Sequence, residues 1–168
     1  MNGKNLFFVS AVILFGLTSV NSVEAQNSAT ANASAIIVTT FTIEKTGDLN
    51  FGFIFPSNAT GTVTVGADGS RTFDGGVTLI GTTFSAAAFM VIGEVDATFS
   101  VKLPKKKVSL TNSSGEKMKV HSFSHSAGTT PTITSGGTSF NVGATIDVSS
   151  SQPAGVYNGS FDVTVTFH

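Results

Sequence analysis

Gly155-Val-Tyr-Asn-Gly-Ser-Phe-Asp-Val-Thr-Val-Thr-Phe-His168 closes the chain, and its pattern decides the fold class. Every odd position holds Gly, Tyr, Phe or Val: Gly155, Tyr157, Gly159, Phe161, Val163, Val165 and Phe167. Every even position from Asn158 is polar. Strand side chains alternate between two faces, so the stretch is predicted as a strand with one buried face and one wet face.

The same alternation recurs upstream. Phe140, Val142, Ala144, Ile146 and Val148 repeat it, as do Ala97, Phe99, Val101 and Leu103. Ala35 to Ile43 is predicted as the first strand, with Pro56 ending a second apolar run. Thr62–Val65 and Arg71–Phe73 flank Gly66-Ala-Asp-Gly69, a hairpin signal because Asp-Gly tolerates positive φ. Gly75-Gly76 is expected to separate that hairpin from Val77–Ile80. Ala86 to Ile92 is apolar on both faces and reads as a strand covered on both sides. Val108 and Leu110 pair across Asn112–Gly115 with Met118 and Val120. The phase slips near Phe123, which predicts a β-bulge. No helical period and no internal repeat is found after the N-terminus. About eight or nine short strands imply an antiparallel β-sandwich or barrel.

Composition agrees. Charged residues make up 11% of the 168, and there are fifteen Phe, one Tyr and no Trp. Good charged helix formers are therefore scarce. Cysteine is absent, so stability rests on sheet packing without disulfides. Lys4, the apolar run Leu6–Leu17 and Val23-Glu-Ala25 form a secretory signal peptide over residues 1–25, with Gln26 first in the mature chain. The run is shorter than the roughly 20 apolar residues that span a bilayer, and no transmembrane anchor is expected after cleavage. Residues 26–34 read as a flexible lead-in and 35–168 as one domain. The expected location is across the inner membrane: periplasm, cell surface or extracellular. Nucleic acid is not an expected partner at a net charge of −1.

Chemistry finds little footing. A hydrolase needs a nucleophile, a base and a group orienting the base, and no Gly-x-Ser-x-Gly elbow is present. Glu94 and Asp96 form the one close acidic pair, expected to flank a turn. On a regular strand His121 and His125 would share a face about 13 Å apart, too far for one metal. No enzyme activity and no cofactor is expected. The strongest charged feature is Lys102, Lys105, Lys106, Lys107, Lys117 and Lys119. These lysines either hold an anionic glycan of the envelope or keep an exposed edge strand from pairing with strangers.

Gln152 to Phe167 resembles the C-terminal strand of spore-coat-U-like and pilin-like secreted bacterial domains. With Leu49-Asn-Phe-Gly52 and Phe140–Val148, the mature chain is similar to the family called domain of unknown function 4402. The resemblance implies an immunoglobulin-like sandwich and a structural or adhesive role. It also implies β-strand complementation: a periplasmic chaperone, then a like subunit, adds a strand beside the last one. Gly155, Tyr157, Phe161, Val163, Val165 and Phe167 are the expected assembly residues. Two departures stand out. There is no disulfide, and a donor limited to residues 26–34 offers only the methyl groups of Ala29, Ala31 and Ala33, which bury little apolar area.

Overall fold

The computed structural model describes residues 27–37 and 40–168. The expected signal peptide and Gln26 lie outside the described residues. The chain divides into two units, Met1–Ile36 and Ile37–His168. Residues 27–36 carry no strand.

Nine strands follow in chain order: β1 (Thr42–Gly47), β2 (Phe53–Val65), β3 (Arg71–Ile80), β4 (Ala87–Ile92), β5 (Phe99–Lys102), β6 (Val108–Thr111), β7 (Lys117–His125), β8 (Thr138–Val148) and β9 (Thr164–Phe167). All pairings are antiparallel, and no helix occurs among the described residues. The protein is an all-β antiparallel sandwich. Seven strands form one sheet, and β5 pairs with β9 in a second.

β8 is the hub. Its first half, Thr138–Val142, pairs with β4, and its second half, Ala144–Val148, pairs with β2. β7 pairs with it over Val142–Asp147. The inward positions Phe140, Val142, Ala144, Ile146 and Val148 are all at most 2% exposed. They divide the core in two. One cluster gathers Phe51, Val63, Val65, Met118 and Val120 around Ala144–Val148. The other gathers Phe89, Val91, Phe99 and Ile133 around Phe140 and Val142. Gly143 stands at the hand-over between them. A Cβ there would lie 2.3 Å from the Val65 carbonyl oxygen and 2.5 Å from the Ala67 nitrogen. Only glycine lets the β2–β3 turn approach β8 so closely.

The predicted hairpin is present. Gly66–Ser70 joins β2 to β3, with Gly69 at φ +81°. The Ser70 hydroxyl and main-chain N–H both donate to Asp68 and hold its carboxyl below the usual carboxylate range. Three boundary expectations are corrected. The first strand begins at Thr42 rather than Ala35, because β4 ends at Ile92, opposite Thr42, and offers nothing earlier to pair with. Pro56 stays in the ladder opposite Val77. β8 reaches β2 only from Gly61, so the missing proline N–H leaves no second ladder short. Gly75-Gly76 lies inside β3, opposite a bulge between Pro56 and Gly61 that absorbs extra residues of β2. β4 lies between β1 and β8, and the expected burial of both faces holds for one face only. Ala87, Phe89 and Val91 face the core, and Ala88 and Met90 are half-buried on the other face.

Candidate functional site

The C-terminal stretch departs from a single long strand. Only Thr164–Phe167 enters a ladder, opposite Phe99–Lys102. Residues 152–158 form a hydrogen-bonded corner instead. The Tyr157 hydroxyl donates to the Pro153 carbonyl at 2.7 Å and accepts from Gln152 Nε2 at 2.9 Å. Asn158 exchanges both main-chain bonds with Thr111 of β6. Gly155 lies against the Asn112 side chain. A ring with a polar tip favours such a corner, because its apolar body packs inward while its hydroxyl finds a partner. The alternation nevertheless survives: Tyr157, Phe161, Val163, Val165 and Phe167 are half-buried, and the residues between them are exposed.

Half-burial is the notable property of this strand. Phe161, Val163, Val165 and Phe167 pack on the second core cluster without being sealed into it. Among the described residues β9 pairs only with β5, and β1 pairs only with β4. Two contacts bracket β1 against the C-terminal stretch, with no ladder between the two among the described residues. Phe41 and Phe167 stack at one end, centroids 3.9 Å apart. At the other end Leu49 and Phe161 line one apolar cleft of about 50 Å³ with Phe51, Leu110, Val120 and Phe123. The seam is thus an unpaired strand edge above partly open apolar side chains.

The six lysines are all exposed, on different elements. Lys102 lies on β5 of the small sheet. Lys105, Lys106 and Lys107 fill the β5–β6 connection, and Lys117 and Lys119 stand on β7 opposite Thr111 and Ser109. Lys119 Nζ donates to Ser109 Oγ at 2.6 Å, and Lys107 Nζ pairs with Asp147 Oδ2 at 2.7 Å. Lys102, Lys105, Lys106 and Lys117 have no acidic partner within 4 Å among the described residues. Five of the six therefore surround the β6–β7 hairpin, and Lys102 stands on the other sheet.

The predicted bulge falls between His121 and Ser124 of β7. It turns His121 and His125 to opposite faces, which removes the shared face of a regular strand. His125 points inward, edge-on to Phe140, with a buried Nδ1 that has no hydrogen-bond partner among the described residues. His121 points outward, with Nε2 2.8 Å from Asp147 Oδ1 and Nδ1 2.8 Å from Ser122 Oγ. Burial pushes the Asp147 carboxyl up. Hydrogen bonds from Lys107 and His121, with their charge, outweigh it and leave the pKa below the ordinary value. No motif could reveal this Ser–His–Asp array, because Asp147 comes from a strand paired across the sheet. Among the described residues no three His, Asp or Glu side chains gather as a metal-ion set. Glu94 and Asp96 occupy the turn after β4, with Asp96 at φ +67°.

No curated protein and no solved structure matches the chain. The family model described as Domain of unknown function (DUF4402) matches residues 41–167, which runs from just before β1 to the last residue of β9. That match takes in the hub strand, both core clusters and the open C-terminal seam, and the chain belongs to the DUF4402 family.

Proposed function

We propose that this chain is a secreted, non-enzymatic structural or adhesive subunit of a bacterial cell envelope. In this reading it is an immunoglobulin-like, pilin-like sandwich assembled by β-strand complementation at its C-terminal strand. The observation that carries the reading is the seam: inward residues Phe161–Phe167 half-buried, with an unpaired edge and an apolar cleft beside Phe161. An added strand would gain ladder hydrogen bonds along that edge and bury alternate side chains on Leu49, Phe123 and Phe161. The partner is a periplasmic chaperone or a like subunit.

The late start of β1 strengthens the donor side. Residues ahead of Thr42 include Ile36 and Ile37, 90% and 94% exposed, so a donor segment is not restricted to alanine methyl groups. Burying an isoleucine contributes about 1.5–3 kcal/mol, several times what a methyl group gives. The test is a denaturant titration of the purified chain with and without a synthetic peptide of residues 29–40. Stability should rise with peptide concentration, by about 2.7 kcal/mol at a hundredfold excess over Kd. A cooperative monomer whose midpoint ignores the peptide rejects strand complementation.

A second reading rests on the lysines without acidic partners around the β6–β7 hairpin. It makes the protein a binding module for an anionic envelope glycan. Binding of a sulfated polysaccharide probe should then weaken steeply with salt and fall when Lys105, Lys106 and Lys117 are changed to Gln.

A further inference from the structure

The array on the outer face of β7 is built in the order nucleophile, base, orienting acid. Asp147, ion-paired with Lys107 at 2.7 Å, is a carboxylate that offers only acceptors. The hydrogen at its 2.8 Å contact with His121 therefore sits on Nε2. In a neutral imidazole that leaves Nδ1 with a lone pair. The Ser122 hydroxyl, 2.8 Å from Nδ1, is then the donor of that bond. A hydroxyl donating to a base that is itself oriented by a carboxylate is the arrangement that activates serine toward acyl groups. The backbone adds a second, independent sign. Ser122 lies in the bulge with Phe123 and has φ +51°, an uncommon conformation outside glycine that concentrates at functional sites. The extra residue of a bulge is left out of the ladder, so the local backbone is free of the regular pairing. Ser122 is exposed, so a reagent reaches it.

We infer that Ser122 is an activated hydroxyl, a site of covalent acyl attachment that takes its acyl group from an activated ester. The step balances as a transesterification. Ser122 Oγ forms a bond to the ester carbonyl carbon, its proton passes to His121 Nδ1, the carbon–oxygen bond of the ester breaks, and the departing alkoxide takes the proton back from His121. Asp147 supports the imidazolium formed in between. The reaction is stoichiometric, one acyl group per chain, and is separate from strand assembly at the C-terminal seam.

The experiment treats the folded full chain with p-nitrophenyl acetate and, separately, with a fluorophosphonate probe, and maps adducts by peptide mass spectrometry. One adduct on Ser122 is expected, at least about tenfold faster than on any other hydroxyl. His121→Gln should slow it by about 100-fold, the lower end of what a positioned base supplies. Ser122→Gly removes the adduct while accepting the same φ, so a loss of label with an unchanged thermal midpoint cannot come from unfolding. Ser124→Ala, on the same strand, should label like the parent. In urea the selectivity for Ser122 should disappear. An unlabelled Ser122 in the folded chain overturns the inference. So does label spread over other serines and lysines, or label on Ser122 that survives His121→Gln at the same rate.

Discussion

β8 and the C-terminal stretch 155–167 carry the same written pattern, and their surroundings differ. Both alternate Phe, Val and other apolar residues with polar ones. β8 has partner strands along its length, and its inward residues are at most 2% exposed. The C-terminal stretch contributes four residues to a two-stranded ladder, and its inward residues stay half-buried. Alternation states which face points inward. It does not state whether anything closes over that face, because closure depends on strands far away in the sequence. The sealed strand therefore carries stability, and the open one leaves its apolar face partly uncovered.

Truncation experiments sharpen this contrast. Phe140→Ala should cost about 3–5 kcal/mol, because Phe140 is buried and packs against Phe89 and Phe99, with little freedom to collapse around the hole. The check is an equilibrium urea titration at constant m. A loss under about 2 kcal/mol would mean that β8 is not the sealed centre described. Gly143→Ala should cost about 1–3 kcal/mol by overpacking, since the added methyl meets the β2–β3 turn. Phe167→Ala should cost only about 1–2 kcal/mol in the isolated chain, because its ring is not fully buried, although it stacks on Phe41 and tilts against Phe99. The comparison breaks if Phe167→Ala equals Phe140→Ala. It sharpens if an added strand peptide raises the cost of Phe167→Ala and leaves that of Phe140→Ala unchanged.

The sequence was legible where pairing is local or alternation is clean. The β2–β3 and β6–β7 hairpins, the inward face of β8 and the bulge in β7 all follow from turn residues and phase. It misled where a ladder's extent depends on a distant partner. Ala35–Phe41 looked strand-like, yet β4 ends opposite Thr42. Residues 157–160 continue the alternation of the last strand, yet the Tyr157–Pro153 and Asn158–Thr111 bonds make a corner there. The six lysines lie close in sequence, yet Lys102 stands on the other sheet from Lys117 and Lys119. The Ser122–His121–Asp147 array was hidden for the same reason, since register across β7 and β8 is not written in either strand alone.

The smallest expected effect belongs to the polar outer face and contrasts it with the apolar interior. Asp147 ties β8 to His121 of β7 and to Lys107 ahead of β6. Its pKa in the folded chain lies below its ordinary value of 3.8. A carboxyl that is more acidic folded than unfolded stabilises the fold at pH values above the unfolded value. That contribution is lost as pH falls through the folded value, because the unfolded chain then takes up the proton first. The thermal midpoint of the parent should therefore drop on acidification below pH 3.8. Asp147→Asn should have a lower midpoint than the parent at neutral pH and a shallower acid slope. The gap should be small, since the Asp147 side chain is 39% exposed and solvent screens its partners. Curves that stay parallel from neutral pH into acid would mean the Lys107–Asp147–His121 contacts add nothing to stability, leaving the apolar halves around β8 to hold the sandwich alone.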